Sequence, residues 1–307
     1  MRGKDTKRLR RLASEQSNPA AKDLDTKPSL EIARIINNED AKVAAAVRRA
    51  LPQIAKAIDV IAEALDKGGR LIYVGAGTSG RIAALDATEC PPTFNTDPKT
   101  VQFVIAGGTK ALAAAVEANE DSRQLGEREI AKRKPGKNDV VVGIAASGRT
   151  PFTVAAIDYA RRRGAKTVAV TCNRNSPLGR AATVEIVTEV GPEVVAGSSR
   201  MKAGTAQKMV LNMLSTGAMA KLGYIYGNLM VNVHVKNQKL RERGITILQF
   251  ATRKNRRTSE RTLKSAGNSV PVALMMIETG AKLSEAVRLL KAAGGNVRRA
   301  IAMTRAM

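Results

Sequence analysis

The sequence predicts an α/β fold: a five-stranded parallel sheet flanked by helices, with N-terminal helices before it and a small C-terminal helical module after it. Three observations carry this prediction. Five short runs are rich in Val, Ile and Ala, helical patterns separate them, and turns of small polar residues follow several of the runs. Strands that alternate with helices form parallel sheets, and near-continuous apolar runs are typical of strands covered on both faces.

The predicted strands lie in the middle of the chain. The segments between them, RIAALDATEC, KALAAAVEANEDSRQLGEREIAKR and TPFTVAAIDYARRRG, have the spacing and length of helices. The five strand runs are RLIYVGAG from Arg70, TVQFVIAGG from Thr100, DVVVGIAASG from Asp139, KTVAVTCN from Lys166 and TVEIVTEVG from Thr183.

The segments on either side of the predicted sheet have helical patterns. Residues 30–68 predict two helices that end at Gly68-Gly69, and a long helical stretch is predicted after Ser198, to about Ala251. A basic linker follows, and then a helical tail whose helices are separated by Thr279-Gly280 and by Gly294-Gly295-Asn296. We therefore expect a helical extension at 1–52, a binding and catalytic domain at 53–235, and C-terminal helices at 236–307.

The chain is strongly basic, with a net charge of +24. Clustered Lys and Arg attract phosphate backbones, but Trp is absent and aromatic residues make up only 3% of the chain, so no platform for stacking bases is predicted. The excess charge lies in the first dozen residues and in FATRKNRRTSERTLK, from Phe250 to Lys264. We interpret both segments as solvated, and we expect the basic field to favour a small anionic substrate rather than a nucleic acid.

Cysteine and histidine are scarce. Cys90 and Cys172 are far apart and His234 is the only histidine, so neither a disulfide framework nor a zinc site is predicted. No apolar run approaches the ~20 residues of a membrane helix, and the basic start lacks a signal peptide's apolar stretch. These features predict a cytoplasmic protein with no membrane partner. We interpret Cys90 as a packing residue and His234 as a structural or interface residue.

Three turns have a chemistry that suits an anion. Small residues let backbone N–H groups approach it, hydroxyls add donors, and each following helix contributes the partial positive charge of its N-terminus. Ser and Thr are also common N-caps, so capping alone could explain any single turn. Three turns at one edge of a sheet predict a phosphate pocket instead. The turns are Gly75-Ala76-Gly77-Thr78-Ser79-Gly80, Ala146-Ser147-Gly148-Arg149-Thr150-Pro151 and Gly197-Ser198-Ser199-Arg200-Met201-Lys202.

These turns and their surroundings resemble the sugar isomerase (SIS) domain family of phosphosugar-binding proteins, and within it the etherases that act on N-acetylmuramic acid 6-phosphate. The resemblance covers nearly the whole chain and implies a flavodoxin-like SIS sheet. It implies a lyase of cell-wall sugar recycling that cleaves the C3 D-lactyl ether, releasing N-acetylglucosamine 6-phosphate and D-lactate. The motifs that carry it are GAGTSGR, ECPPTF, GIAASGRTP, GPEVVAGSSRMKAGTAQK, YGNLMVNV and LKAAGGNVRRAIA.

The resemblance also implies partners and binding residues. Related SIS proteins complete their sites across subunits, so a homodimer is expected, and the tail is similar to small three-helix modules of the ubiquitin-associated type. Glu193 is expected to contact a sugar hydroxyl. The substrate-binding residues implied are Thr78, Ser79, Gly80, Ser147, Gly148 and Thr150 around the phosphate, with Ser198, Ser199 and Lys202 completing the pocket.

The chemistry of ether cleavage calls for two acid–base groups. Opening of the sugar ring makes the C2 proton acidic, so a base can start an elimination, while an acid protonates the departing lactate oxygen; no cofactor is needed. Spacing alone does not choose among Glu117, Glu120 and Asp121. The resemblance selects Glu89 as the acid and Glu120 as the base.

Two other functions remain open from the sequence. One is a non-catalytic phosphosugar-binding regulator, similar to the glucokinase regulatory protein, although that family has two SIS domains and this chain has strands for one. The other is an aldose–ketose phosphosugar isomerase, which moves a C2 proton without expelling a group. Release of D-lactate distinguishes the etherase from both.

Overall fold

The computed structural model describes residues 16–114, 119–233, 235 and 237–305, and it contains the predicted sheet. Five parallel strands lie in the order β2-β1-β3-β4-β5. Each strand begins at the predicted residue or at the one after it, so the predicted fold class is confirmed. The strands are β1 (Leu71–Gly75), β2 (Val101–Ile105), β3 (Val140–Ile144), β4 (Lys166–Thr171) and β5 (Val184–Val187).

The strand order reverses between β1 and β3. Leu71 of β1 lies opposite Val101 of β2 on one side and opposite Val140 of β3 on the other. In open parallel sheets, ligands bind in the crevice outside the carboxyl ends of the strands at such a reversal. The turns that follow β1 and β3 therefore border the crevice where a ligand is expected.

Helices cover the sheet and extend beyond it. The two helices predicted before the sheet are confirmed, and β1 and β3 are completely buried. Ile72, Val141 and Ile157 contribute to the core on one face of the sheet. The helices in this part are α1 (Ser29–Arg49), α2 (Leu51–Asp66), α3 (Gly77–Phe94), α4 (Arg123–Ala131), α5 (Pro151–Arg162), α6 (Pro177–Ala181) and α7 (Lys202–Leu222), with 3-10 helices at Pro19–Ala21, Leu24–Thr26 and Gly108–Leu112.

The C-terminal part is helical and has its own apolar core. Its helices pack around Ile245, Leu263, Leu274 and Leu289, which are at most 1% exposed. The predicted breaks at Gly280 and Gly294-Gly295 are confirmed, because all three glycines have a positive φ. The helices are α8 (Gln238–Thr252), α9 (Arg256–Ser265), α10 (Val270–Thr279), α11 (Leu283–Ala292) and α12 (Val297–Arg305).

The long helix predicted from Ser198 to Ala251 is wrong, since it is interrupted after Leu222. Gly223 has a φ of +83°, and the N–H of Tyr224 donates to the carbonyl of Met219, as at a helix C-terminus that ends on a left-handed glycine. The described residues between Leu222 and Gln238 form no helix, and α8 begins after Asn237, whose side chain accepts a hydrogen bond from the N–H of Leu240. The motif YGNLMVNV thus lies between two helices.

The basic segment predicted as a linker contains a helix. Asn255 caps α9 by accepting a hydrogen bond from the N–H of Thr258, and Leu263 on α9 is buried. The predicted helix between β2 and β3 is shorter than expected: the described part holds only the 3-10 turn Gly108–Leu112 and α4, which Ser122 caps. In both cases a single polar residue, Asn255 before α9 and Ser122 before α4, caps the N-terminus and sets where the helix begins. The apolar pattern of the sequence does not show these boundaries.

Contacts divide the chain into two compact units. Of the described residues, those up to Thr88 and from Lys99 to Ser215 form the first unit, and those from Glu89 to Pro98 and from Thr216 onward form the second. The domain boundaries expected at 52/53 and 235/236 remain predictions. No described helix is both long enough and apolar enough to cross a membrane.

Candidate active site

The first predicted turn joins β1 to α3 at the carboxyl edge of the sheet. Gly77 begins the helix with a φ of +51°, a conformation that a residue with a side chain rarely adopts. Gly80 lies so close to β2 that a methyl group there would be 2.5 Å from Cγ1 of Ile105. Glycine is therefore required at both positions, and the turn places Thr78 and Ser79 beside the crevice.

The second turn joins β3 to α5 on the other side of the crevice. Gly148 has a φ of +66°, and a methyl group there would lie 2.4 Å from Cβ of Ser176. The hydroxyl of Ser147 accepts a hydrogen bond from the N–H of Arg149 at 3.2 Å. Thr150 precedes α5, but its side chain does not cap the helix. Helix capping therefore does not explain why a hydroxyl residue occupies position 150.

Glu120 lies between these two turns. A methyl group at Gly77 would be 3.0 Å from Oε1 of Glu120, so the carboxylate lies against the first turn. The backbone carbonyl of Glu120 accepts a hydrogen bond from the N–H of Phe152, in the first turn of α5, at 3.0 Å. Asp121 is exposed, and Glu117 lies outside the described residues. The fold thus brings Glu120 to the crevice where the strand order reverses.

The third turn leads into α7 and lies against the first. A methyl group at Gly204 would be 3.5 Å from Cγ2 of Thr78 and 3.6 Å from the carbonyl oxygen of Ser199. The N-terminus of α7 is capped by a carboxylate: Glu193 accepts hydrogen bonds from the N–H groups of Lys202 and Ala203, both at 2.9 Å. Glu193 is therefore a helix cap in this structure, and its contact with a sugar hydroxyl remains a prediction.

Lys202 forms a buried ion pair with the N-terminal helix α1. Its Nζ lies 2.5 Å from Oε2 of Glu39, and its side chain is 1% exposed. Glu39 also accepts hydrogen bonds from Lys42 and, at 2.9 Å, from Nδ2 of Asn18. Burial alone would raise the pKa of Glu39, but the hydrogen bonds from Lys202, Lys42 and Asn18 lower it to about 2. The proposed contact between Lys202 and substrate remains a prediction.

Asn18 extends this cluster to the loop before the third turn, because its Nδ2 also donates to the carbonyl of Pro192 at 3.1 Å. Glu39 and Asn18 were not predicted from sequence. Their segments look like solvated polar surface, and nothing in the local pattern indicates a partner such as Lys202, which is 163 residues from Glu39.

Asp86 is a second buried carboxylate that the sequence reasoning missed. It accepts hydrogen bonds from the hydroxyl of Tyr73 at 2.8 Å, from Nδ2 of Asn212 at 2.7 Å and from Oγ of Ser215 at 3.1 Å. Burial raises the pKa of Asp86 above its ordinary value, although these bonds act in the opposite direction. The network joins α3, β1 and α7. A polar residue between Ala83 and Ala87 on the apolar side of a predicted helix was the available signal.

Glu89 lies near the C-terminal end of α3 and belongs to the second unit. It is exposed, whereas the neighbouring Cys90 is buried. The helix predicted over RIAALDATEC is longer than expected, because α3 continues through Pro91 and Pro92 to Phe94. The N–H of Asn95 donates to the carbonyl of Pro91, and its left-handed conformation (φ +57°) ends the helix. His234 lies outside the described residues.

A cavity at the opposite, amino edge of the sheet is separate from these turns. It has a volume of about 330 Å³ and includes Lys166 and Val184, the first residues of β4 and β5. None of the three turns lines it. The candidate site is therefore the crevice at the carboxyl edge.

Comparisons with known proteins identify the family of this chain. A family model described as "Glucokinase regulatory protein N-terminal SIS domain" matches residues 53–161, and one described as "SIS domain" matches residues 134–217. The chain is similar to N-acetylmuramic acid 6-phosphate etherases. It is 49% identical to that of Photorhabdus laumondii over 297 residues, covering 97% of this chain and 99% of that one. It is 54% identical to the etherase of Symbiobacterium thermophilum over 273 residues, covering 89% of this chain and 90% of that one.

Solved structures resemble the chain at lower identity. A phosphoheptose isomerase from Francisella tularensis superposes with a TM-score of 0.49 at 19% identity, covering 63% of this chain and all of that one.

Proposed function

The chain belongs to the family of N-acetylmuramic acid 6-phosphate etherases, and on that premise we propose how its residues carry out the reaction. It is a carbon–oxygen lyase that cleaves the ether between C3 of N-acetylmuramic acid 6-phosphate and D-lactate. The products are N-acetylglucosamine 6-phosphate and D-lactate, and the reaction serves cell-wall sugar recycling. The main support for this function is the sequence similarity to such enzymes, which extends over nearly the whole chain.

The substrate phosphate binds among the three turns at the carboxyl edge of the sheet. Thr78, Ser79 and Gly80 contribute from the first turn, and Ser147, Gly148 and Thr150 from the second. Ser198, Ser199 and Lys202 belong to the third turn, which lies against the first through Gly204 and Thr78. Helix N-termini and backbone N–H groups that converge on one point favour binding of a dianion. With the phosphate held there, the rest of the sugar extends into the crevice.

The reaction begins with removal of the C2 proton from the ring-opened sugar. Glu120 takes this proton, the C–H electron pair forms a C2–C3 double bond, and the C3–O bond breaks. The support for Glu120 is its place between the first two turns, where its carboxylate lies against Gly77 and its backbone bonds to Phe152. A base next to the phosphate site is held at a fixed distance from the carbon whose proton it must remove.

The departing lactate oxygen needs a proton, because an alkoxide is a poor leaving group. Glu89 donates it, and water then adds to C3 of the enal while C2 regains a proton. The support for Glu89 is the motif ECPPTF and its position on α3, the helix that begins at the first turn. Two carboxyl groups can divide acid and base roles when their surroundings differ.

We further propose a homodimer in the cytoplasm. The support for dimerisation is the resemblance to SIS proteins, which complete their sites across subunits. The support for the compartment is that Cys90 and Cys172 are both buried and form no disulfide, as suits a reducing environment. Light scattering on the purified protein tests the dimer, since a mass of one 32.7 kDa chain would contradict it.

The test of the function is enzymatic assay of D-lactate with N-acetylmuramic acid 6-phosphate as substrate. We expect one D-lactate and one N-acetylglucosamine 6-phosphate per substrate consumed. Non-phosphorylated N-acetylmuramic acid should react poorly, because it has no phosphate for the three turns to bind. Binding without lactate release would indicate a regulator, and interconversion of a simpler sugar phosphate would indicate an isomerase; either outcome would contradict the proposal.

A further inference from the structure

Gln207 is a buried glutamine whose amide makes no hydrogen bond within the described part of the chain. It lies on α7, and its surface is only 1% exposed. Among the residues that the structure describes, neither its Nε2 nor its Oε1 has a hydrogen-bond partner. Burying an unpaired amide is costly, so nearly all buried polar side chains in folded proteins are paired. An amide with both groups unpaired is suited to a ligand that brings its own donor and acceptor.

Gln207 lies next to the place where the first and third turns meet. It follows Gly204 by three residues, which is slightly less than one helical turn, or about 4.5 Å of rise. Gly204 is the point at which α7 approaches both Thr78 and Ser199. Residues three apart lie on neighbouring parts of a helix surface, so Gln207 occupies the buried side of α7 directly after this contact.

Other buried polar groups on α7 have protein partners. Lys202 pairs with Glu39 at 2.5 Å, and Ser215 donates to Asp86 at 3.1 Å. The residues around Gln207 on the buried side, Leu211 and Leu214, are fully buried and apolar. Within the described part of α7, Gln207 is therefore a polar group in an apolar stripe, with both hydrogen-bonding functions uncommitted.

We propose that Gln207 determines specificity for the acetamido group at C2 of the substrate. Its Nε2 donates to the acetyl carbonyl oxygen, and its Oε1 accepts from the acetamido N–H. A primary amide and a secondary amide are complementary in this way, because each supplies one donor and one acceptor to the other. This inference rests on the proposed function, since it takes the phosphosugar to bind at the three turns.

The experiment measures the affinities of two sugar phosphates by calorimetry. N-acetylglucosamine 6-phosphate carries the acetamido group, and glucose 6-phosphate has a hydroxyl at C2 instead. In Gln207→Met we expect the preference for the acetamido sugar to fall by about tenfold or more, because two hydrogen bonds are lost. The affinity for glucose 6-phosphate should change less than threefold. Gln102→Met is the matched control, since Gln102 donates to the carbonyl of Lys99 on a different element; it should leave the preference unchanged.

An equal loss of affinity for both sugar phosphates, or an unchanged preference for the acetamido sugar, would overturn the proposal for Gln207. Should Gln207→Met fail to fold, a crystal structure of the native protein with N-acetylglucosamine 6-phosphate decides instead. An acetamido group within 3.2 Å of the Gln207 amide supports the inference, and one placed elsewhere refutes it. Failure of the proposed function is distinguishable, because the native protein would then neither bind these sugars nor release lactate.

Discussion

Replacement of Glu39 by Gln should destabilise the fold by removing one half of a buried ion pair. Glu39 is buried and bound by Lys202, Lys42 and Asn18, and its pKa is lowered from 4.5 to about 2. At 1.36 kcal/mol per pKa unit, this difference corresponds to about 3 kcal/mol of native-state stabilisation at neutral pH. Loss of one partner from a buried pair costs about 3–5 kcal/mol in other proteins, because the remaining charge is left buried and unpaired.

The pH dependence of this stabilisation follows from the direction of the shift. A carboxyl group with a folded pKa below its unfolded value contributes fully above about pH 4.5 and loses its contribution as the pH falls toward 2. The difference in unfolding free energy between the native protein and Glu39→Gln should therefore be largest near pH 7 and shrink below pH 4.5. Urea unfolding followed by circular dichroism at several pH values measures it.

Two further variants identify the cause of the effect. Glu31→Gln removes an exposed carboxylate on the same helix, which pairs with the partly exposed Lys27, and should change stability little. The double variant Glu39→Gln/Lys202→Met should be more stable than Glu39→Gln alone, since no buried charge is left unpaired. If Glu39→Gln cost no more than Glu31→Gln, the cluster would not stabilise the junction between α1 and α7.

Three other predictions concern the turns. Gly77→Ala should reduce kcat by about tenfold or more, because the methyl group would displace the Glu120 carboxylate that lies 3.0 Å from its position; a stable variant with native kcat would contradict this. Ser147→Ala should weaken binding of N-acetylglucosamine 6-phosphate by about 1–3 kcal/mol, as measured by calorimetry, and unchanged affinity would remove Ser147 from the pocket. Glu193→Gln should lower the melting temperature, since two backbone N–H groups would share one remaining carbonyl oxygen. An unchanged melting temperature would show that the cap contributes nothing.

Most of the fold could be predicted because its signals are local. Near-continuous apolar runs such as DVVVGIAASG indicated buried parallel strands, and small polar residues after them indicated the turns. The break at Gly223 was missed because the apolar pattern continues on both sides of it. The break is set by a left-handed glycine and by the cap at Asn237.

The candidate site was predictable only in part. The turns follow from the strands that precede them, but the choice of Glu120 over its acidic neighbours required the family resemblance. Only the fold brings its carboxylate to Gly77. The Glu39–Lys202 pair could not be predicted, since charged residues far apart in sequence look alike whether they are solvated or paired.

The central claim is that Glu120 removes the C2 proton and that Glu89 protonates the departing lactate. Exchange of the C2 hydrogen of N-acetylglucosamine 6-phosphate with deuterium from heavy water, followed by NMR, tests it most directly. Glu89→Gln should still exchange this hydrogen, because deprotonation does not need the acid. The same variant should release no lactate from N-acetylmuramic acid 6-phosphate. Glu120→Gln should bind the sugar yet exchange no deuterium. Normal exchange by Glu120→Gln together with no exchange by Glu89→Gln would reverse the two roles, and native exchange by both variants would contradict the account.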